Sequence, residues 1–278
     1  EKKKELQEFV ARFSANASKS KQATSRKKLL QKINLDDIEP SSRKYPAIIL
    51  SSEREAGDQI LHINNLSKSL DGEVLFKDLN LNIRKGDKIA LISKSDLATT
   101  AFYNILNGLE KPDSGDFKFG QTITTGYLPN ENDEFFKNQI SLIDWLRQFS
   151  SNKDEVYIRG FLGKMLFSGE ETFKTANVLS GGEKVRCMLS RMMLRGGNFI
   201  MLDEPTNHLD LESIQAFNNA LISFPGTVIF TCHDHHFTQT VANRIVEITP
   251  KGCLDKLMTF DEYITSPKIK EQKQLLLN

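Results

Sequence analysis

Between positions 59 and 83 the apolar residues fall at alternating positions: Ile60, Ile63, Val74, Phe76, Leu79, Leu81 and Ile83. This is the strand period, and Asp71-Gly72 between the two runs predicts a hairpin turn. Residues 88–92 read as a buried strand entering a loop, with a helix over 100–108. Short apolar runs at 199–202, 227–230 and 245–248 predict further buried strands, that at 227–230 ending at His233, and 256–260 another. Elsewhere the period is 3.6. Ile140, Ile143, Trp145, Leu146, Val156, Ile158, Phe161, Leu162 and Met165 predict a helical region over 139–176, with Trp145 in its core. Val185, Met188, Leu189, Met192 and Met193 predict a helix starting at Glu183 and stopping at Gly196-Gly197. The methionines on it read as packing. Another helix is expected over 211–223, before a Pro225-Gly226 turn. Strands and helices alternating in this way predict an α/β fold.

The two ends differ from this middle. Leu6, Phe9, Val10, Phe13, Leu29, Leu30 and Ile33 sit at helical spacing among basic residues, with no Pro or Gly over 1–33. One long amphipathic helix is expected there, or two with a break near Asn16-Ala17-Ser18. Residues 34–58 carry Pro40, Pro46 and Gly57 without a period and read as a connector. The tail, 268–278, is polar and expected to fray. The predicted layout is a basic helical linker over 1–45, a connector over 46–58, the main domain over 59–265 and a tail over 266–278.

The net charge of +1 conceals an asymmetry. Residues 1–32 hold ten Lys and Arg against three Glu, a local +7, so the other 246 residues carry −6. Two regions of opposite sign suit different partners. No run approaches eighteen apolar residues, which predicts no membrane insertion. Three cysteines without metal-ligand spacing favour free thiols in a reducing, cytoplasmic setting. The spacing of His233, His235 and His236 does not suit a metal. The chain opens on Glu1 rather than Met, and the expectation is a piece of a longer protein.

The chemistry concentrates in two stretches. Ser180, Gly181 and Gly182 leave backbone amides bare before a helix, a ready anion site. About twenty residues on, a buried strand ends in Asp203-Glu204, a pair suited to Mg²⁺ binding and water activation in phosphoryl transfer.

These residues resemble the motifs of ABC ATPases. Leu179-Ser180-Gly181-Gly182-Glu183 is similar to their signature, Met201-Leu202-Asp203-Glu204-Pro205 to their Walker B strand, Pro205-Thr206-Asn207-His208-Leu209-Asp210 to their D-loop, and Cys232-His233-Asp234 to their switch histidine. The run from Glu204 to Asp210 is most similar to the ABC-F family of translation-associated ATPases. The resemblance implies a P-loop NTPase-type cassette with an antiparallel β lobe and a helical signature lobe, as the second half of a two-cassette protein. It implies ATP and Mg²⁺ as cofactors and the first cassette as partner. Ser180, Gly181, Gly182, Glu183 and Asp210 would face ATP held by that cassette. Asp203 and Thr100 would bind Mg²⁺, Glu204 would orient water and His233 would contact the γ-phosphate. In ABC-F proteins a helical hairpin reaches ribosomal RNA and tRNA. Residues 9–28 resemble its returning helix, with Lys19, Lys21, Arg26, Lys27 and Lys28 facing phosphates; on charge alone a solvated coiled-coil face is the better reading, and the resemblance reverses that order.

At one loop the sequence departs from that family. A P-loop needs G-x-x-x-x-G-K-[ST], and residues 93–100 place Ser93 and Ala98 at its glycines and Thr99 at its lysine. Only Thr100 is retained, Asp96 adds a carboxylate, and Lys94 starts from the wrong end. Leu70 stands for the aromatic that stacks on adenine, and Asn130 for the Gln beside Mg²⁺. A degenerate ATP site is expected. A transporter ATPase subunit and a catalytically silent cassette are the competing readings.

Overall fold

A computed structural model describes residues 45–277. The helix expected over 1–33 and the basic residues Lys19, Lys21, Arg26, Lys27 and Lys28 lie outside them. The connector enters at Tyr45 without regular structure and is seated on the rest of the chain. The Ala47 amide donates to Lys164 O at 2.7 Å, the Glu53 amide donates to Gly196 O at 3.0 Å, and Ile48 and Leu50 are buried.

The alternating region forms β1 (Gln59–Leu70) and β2 (Glu73–Arg84), antiparallel across the expected turn. Asp71 and Gly72 both take positive φ, 50° and 85°, the pairing a tight hairpin requires. Then follow β3 (Lys88–Ile92), α1 (Asp96–Leu106), β4 (Ser114–Phe119) and β5 (Thr125–Leu128). The helical region holds α2 (Leu142–Arg147) and α3 (Glu155–Lys164) and leads into α4 (Gly181–Arg195). The last third comprises β6 (Phe199–Asp203), α5 (Leu211–Ser223), β7 (Thr227–Thr231), α6 (His235–Val241), β8 (Arg244–Thr249), β9 (Gly252–Lys256), α7 (Phe260–Thr265) and α8 (Pro267–Leu277).

Two sheets result. One is a three-stranded antiparallel sheet in the order β2-β1-β4, and the other is six-stranded in the order β5-β6-β7-β3-β8-β9. The larger is parallel except at β9, which runs antiparallel to β8. Its inner strands β3, β6, β7 and β8 are buried on both faces, which is why they read as unbroken apolar runs. Phe199 and Met201 join the core beneath the small sheet, with Ile89, Leu91 and Phe102. Ile200 and Leu202 join the core of the helical side, with Met188, Phe217 and Trp145. Trp145 is buried as expected; it stacks on Phe136 at 4.7 Å and donates Nε1–H to Phe135 O at 2.7 Å.

Five boundaries differ from expectation, and one of them is the start of α4, at Gly181. Helix α1 begins at Asp96, four residues before the predicted start, so half of the expected loop is helical. Strand β7 ends at Thr231, short of His233. Strand β9 stops where a strand was expected to begin, because Thr259 caps α7 there through the Glu262 amide. The tail does not fray but forms α8. It is anchored by buried Ile269 and by Lys273 Nζ, 2.6 Å from the Glu247 carboxylate.

Candidate functional site

Strands β3, β7 and β6 are neighbours in the parallel sheet, so their carboxyl ends deliver three segments to one edge, the usual place for a ligand in such sheets. Asp203 ends β6 and is 2% exposed. It accepts from Thr231 Oγ1 at 2.8 Å and from Thr100 Oγ1 at 3.1 Å. Burial pushes its carboxyl up; the two hydroxyls oppose this, and Asp96 adds to the rise. Glu204 sits just beyond at φ 49°, a left-handed conformation rare for a residue with a side chain. Its amide donates to Thr231 Oγ1 at 3.1 Å, while its carboxylate accepts from the His233 amide at 3.3 Å and lies 3.5 Å from His233 Nε2. Burial raises this carboxyl as well, against the lowering pull of His233. Thr231, which sequence reading missed, thus ties Asp203 and Glu204 to β7. The signal was a hydroxyl at the carboxyl end of a strand with an apolar centre.

A cavity of about 190 Å³ opens at this edge, lined by Ser93, Asp96, Thr99, Glu204, Cys232 and His233 among others. Asp96 brings a carboxylate to the same cavity as Glu204, beside Asp203. Thr99, at the position of a P-loop lysine, is buried, and its hydroxyl donates to Asp96 O at 2.9 Å inside the first turn of α1. Lys94 is exposed and joins no ion pair among the described residues. The residues at this edge supply hard oxygens that suit Mg²⁺ at Thr100 and Asp203. Among the described residues the cavity lining brings together the carboxylates of Asp96 and Glu204 and includes no lysine and no glycine, a lining that disfavours a triphosphate.

The signature-like loop stands apart in chemistry. Ser180 is the N-cap of α4, and a capping box joins it to Glu183. The Ser180 amide donates to Glu183 Oε2 at 2.9 Å, and the Glu183 amide donates to Ser180 Oγ at 3.4 Å. The helix therefore begins at Gly181 rather than at Glu183. Burial alone would raise the Glu183 carboxyl; the Ser180 bonds and Lys174, 2.9 Å away, outweigh it and hold it at about 2. Its two oxygens are thus divided between the Ser180 amide at the helix end and Lys174. Gly181 and Gly182 abut His208: a Cβ on Gly182 would lie 2.6 Å from His208 O. His208 itself has φ 65°. Asp210 caps α5, accepting from the Ser213 amide at 2.7 Å. Asn130 accepts from Asn207 Nδ2 at 3.2 Å, a contact that joins the loop after β5 to the D-loop-like segment. Leu70 ends β1, partly exposed. His235 pairs with Asp261, and among the described residues no group of His, Cys, Asp or Glu could hold a metal ion by its own clustering.

Two family profiles, both described as "ABC transporter", match residues 76–207 and 1–50. An "Uncharacterized ABC transporter ATP-binding protein YkpA" of Bacillus subtilis is 56% identical over 97% of this chain and 50% of its own length. "ABC transporter F family member 5" of Arabidopsis thaliana is 29% identical over 89% of this chain and 36% of its own. "Energy-dependent translational throttle protein EttA" of Haemophilus influenzae is 32% identical over 70% of this chain and 36% of its own. The chain spans half the length, or less, of these curated relatives. Among solved structures, a "Dimeric structure of a post-hydrolysis state of the ATP-binding cassette MJ0796 bound to ADP and Pi" matches with a TM-score of 0.58 at 18% identity, over 72% of this chain and 99% of that one. The fold is that of an ABC ATP-binding cassette, and ABC-F and EttA proteins are among the homologues of the chain.

Proposed function

We propose that this ABC cassette is the second half of a two-cassette, ABC-F-type ATPase working in the cytoplasm at the ribosome. In this reading its signature loop completes an ATP site on the first cassette, while its own nucleotide site is degenerate. The observation that carries it is the contrast between the two ends of the chemistry. At α4, Gly181 and Gly182 offer amides at a helix N-terminus whose one nearby carboxylate is neutralised by Lys174. At α1, the buried Thr99 hydroxyl is spent on its own helix, and Asp96 joins Glu204 at the cavity. An anion is favoured at the first end and repelled at the second. The names of the EttA relatives and the basic composition of residues 1–32 support translation as the setting. Among the described residues no helix is long and apolar enough to cross a membrane.

Bound between the cassettes, ATP with Mg²⁺ supplies the phosphoryl group that is transferred to water. Ser180, Gly181 and Gly182 would orient the γ-phosphate held by the partner, with Asp210 bracing the adjacent loop. Thr100 and Asp203 would hold Mg²⁺ in this chain's own pocket, Asn130 and Glu204 would place water, and His233 would meet the γ-phosphate, each to the extent that nucleotide enters there.

Steady-state ATPase rates of the full two-cassette protein, with ribosomes present, test this asymmetry. Gly182→Asp sets a carboxylate against the partner's phosphate and displaces His208, and it should remove most turnover. Glu204→Gln should cost less than about tenfold, against the 10²–10⁴ typical of a lost general base. Equal losses in the two variants would mean that both sites turn over, and the proposal fails.

A further inference from the structure

A second cavity, of about 240 Å³, lies at the β5 edge of the large sheet and shares no lining residue with the first. It is lined by Thr125 and Tyr127 of β5, by Phe135, and by Arg191, Met192 and Arg195 of α4. Arg191 is the unusual member. Its guanidinium packs 4.3 Å from the Phe149 ring centroid and 4.8 Å from that of Phe135, contacts that take it partly out of water. Among the described residues it pairs with no carboxylate, and neither does Arg195 one helical turn on. Burial, together with the charge of Arg195, pushes the Arg191 guanidinium down to about 10. Two like charges sharing a half-dry cavity without a counter-ion are a costly arrangement for packing alone.

We infer that Arg191 and Arg195 form an anion site for a phosphate group, either of a free phosphate compound or of an RNA backbone, with Phe135 and Met192 as its apolar wall. Guanidinium groups at i and i+4 point to the same side of a helix, and their forked N–H donors match a tetrahedral dianion. Arg195 is exposed at the mouth and Arg191 lies deeper, so a phosphate could enter past the first and reach the second. The site also has a mechanical link to the candidate nucleotide region. Phe135 belongs to the 3₁₀ turn Asp133–Phe136, five residues after Asn130, and its carbonyl accepts the Trp145 indole N–H. An occupant braced against Phe135 would bear on the segment carrying Asn130.

That same contact gives the measurement, because Trp145 is the single tryptophan of the chain. The full chain is titrated with pyrophosphate, and separately with a short single-stranded RNA, at fixed ionic strength while Trp145 emission is recorded. Pyrophosphate should give a saturable change, and Arg195→Gln should weaken its binding by at least tenfold. Arg191→Gln should do the same; because it removes a packed group, its folding is checked by circular dichroism, and the exposed Arg195→Gln carries the test if it misfolds. Tighter saturation by RNA, with the same loss in Arg195→Gln, identifies a backbone phosphate as the ligand. Binding at the signature loop would ignore Arg195→Gln. The inference is overturned if neither probe saturates, or if the affinity of the folded variants is unchanged.

Discussion

Glu204 and His208 both hold positive φ, a conformation that costs a residue with a side chain on the order of 1–3 kcal/mol. Each is fixed by neighbours: Glu204 by Thr231 Oγ1 on its amide, and His208 by the packing of Gly181 and Gly182 against it. The glycines of the signature-like loop thus have a local role besides any ligand, since a side chain at Gly182 has no room beside His208 O. The charge of Glu183 also bears on stability. Its folded carboxyl titrates at about 2 against an ordinary 4.5, so it stabilises the fold above pH 4.5, and that contribution is lost as pH falls toward 2. Glu183→Gln keeps an acceptor for the Ser180 amide but loses the charge. The variant should be less stable by about 1 kcal/mol at pH 7, as for other cap losses. In urea denaturation the gap from wild type should narrow on moving to pH 3 and close only near pH 2. A gap independent of pH would show that the ionised pair with Lys174 contributes nothing.

Among the elements, those with unbroken periods were legible in the sequence. The β1–β2 hairpin, β3, β6, α5 and the Gly196 end of α4 lie where the apolar spacing put them, because burial on one or both faces leaves that spacing no freedom. The misplaced ones were decided by local contacts that spacing does not record. Helix α1 starts early because no glycine breaks the 93–100 segment, so Asp96 through Thr99 close a helical turn. Helix α8 looked polar because its anchors are few, Ile269 and Lys273, and spaced at one turn. At the candidate site the carboxylates and glycines were legible as motif residues. The hydroxyl of Thr231, the Asn130–Asn207 contact and the Arg191 cavity were not, since each depends on elements distant in sequence. The anchoring of α8 is open to measurement. Glu247 is 5% exposed and is met by Lys273 Nζ and by Tyr263 Oη, which donates to it at 2.7 Å. Lys273→Met leaves that carboxylate buried without its cation. It should destabilise the chain by about 1–3 kcal/mol, below the 3–5 typical of a fully buried pair because Lys273 is partly exposed. Exposed Lys270→Met on the same helix should stay within about 0.5 kcal/mol. Equal effects of the two substitutions would make the pair irrelevant.

At the scale of the whole molecule, charge is divided along the chain: +7 over residues 1–32 against −6 over the rest. The net charge of an acidic cassette opposes RNA phosphates, so apart from a local site such as Arg191 and Arg195, attraction to a ribosome would have to come from the basic segment or from the partner cassette. In the proposed function Lys19, Lys21, Arg26, Lys27 and Lys28 lie along phosphates and release counterions on binding. Each such contact contributes about −0.7 to −0.9 to the slope of log affinity against log salt concentration. Five contacts then give a slope of about −4, and removing three should flatten it by more than two. Lys19→Glu, Lys21→Glu and Arg26→Glu combined in the full-length protein should therefore weaken ribosome binding most at low salt, where screening is least. The three side chains sit in a stretch free of Pro and Gly, and Glu is a good helix former, so a helix there would survive the exchange. Affinities measured by sedimentation with ribosomes across a salt series decide the matter. A steep slope in the wild type that is unaltered by the triple reversal would place the phosphate contacts elsewhere. A flat slope in both would mean that these five residues form a solvated face and that ribosome engagement, if it occurs, does not run through them.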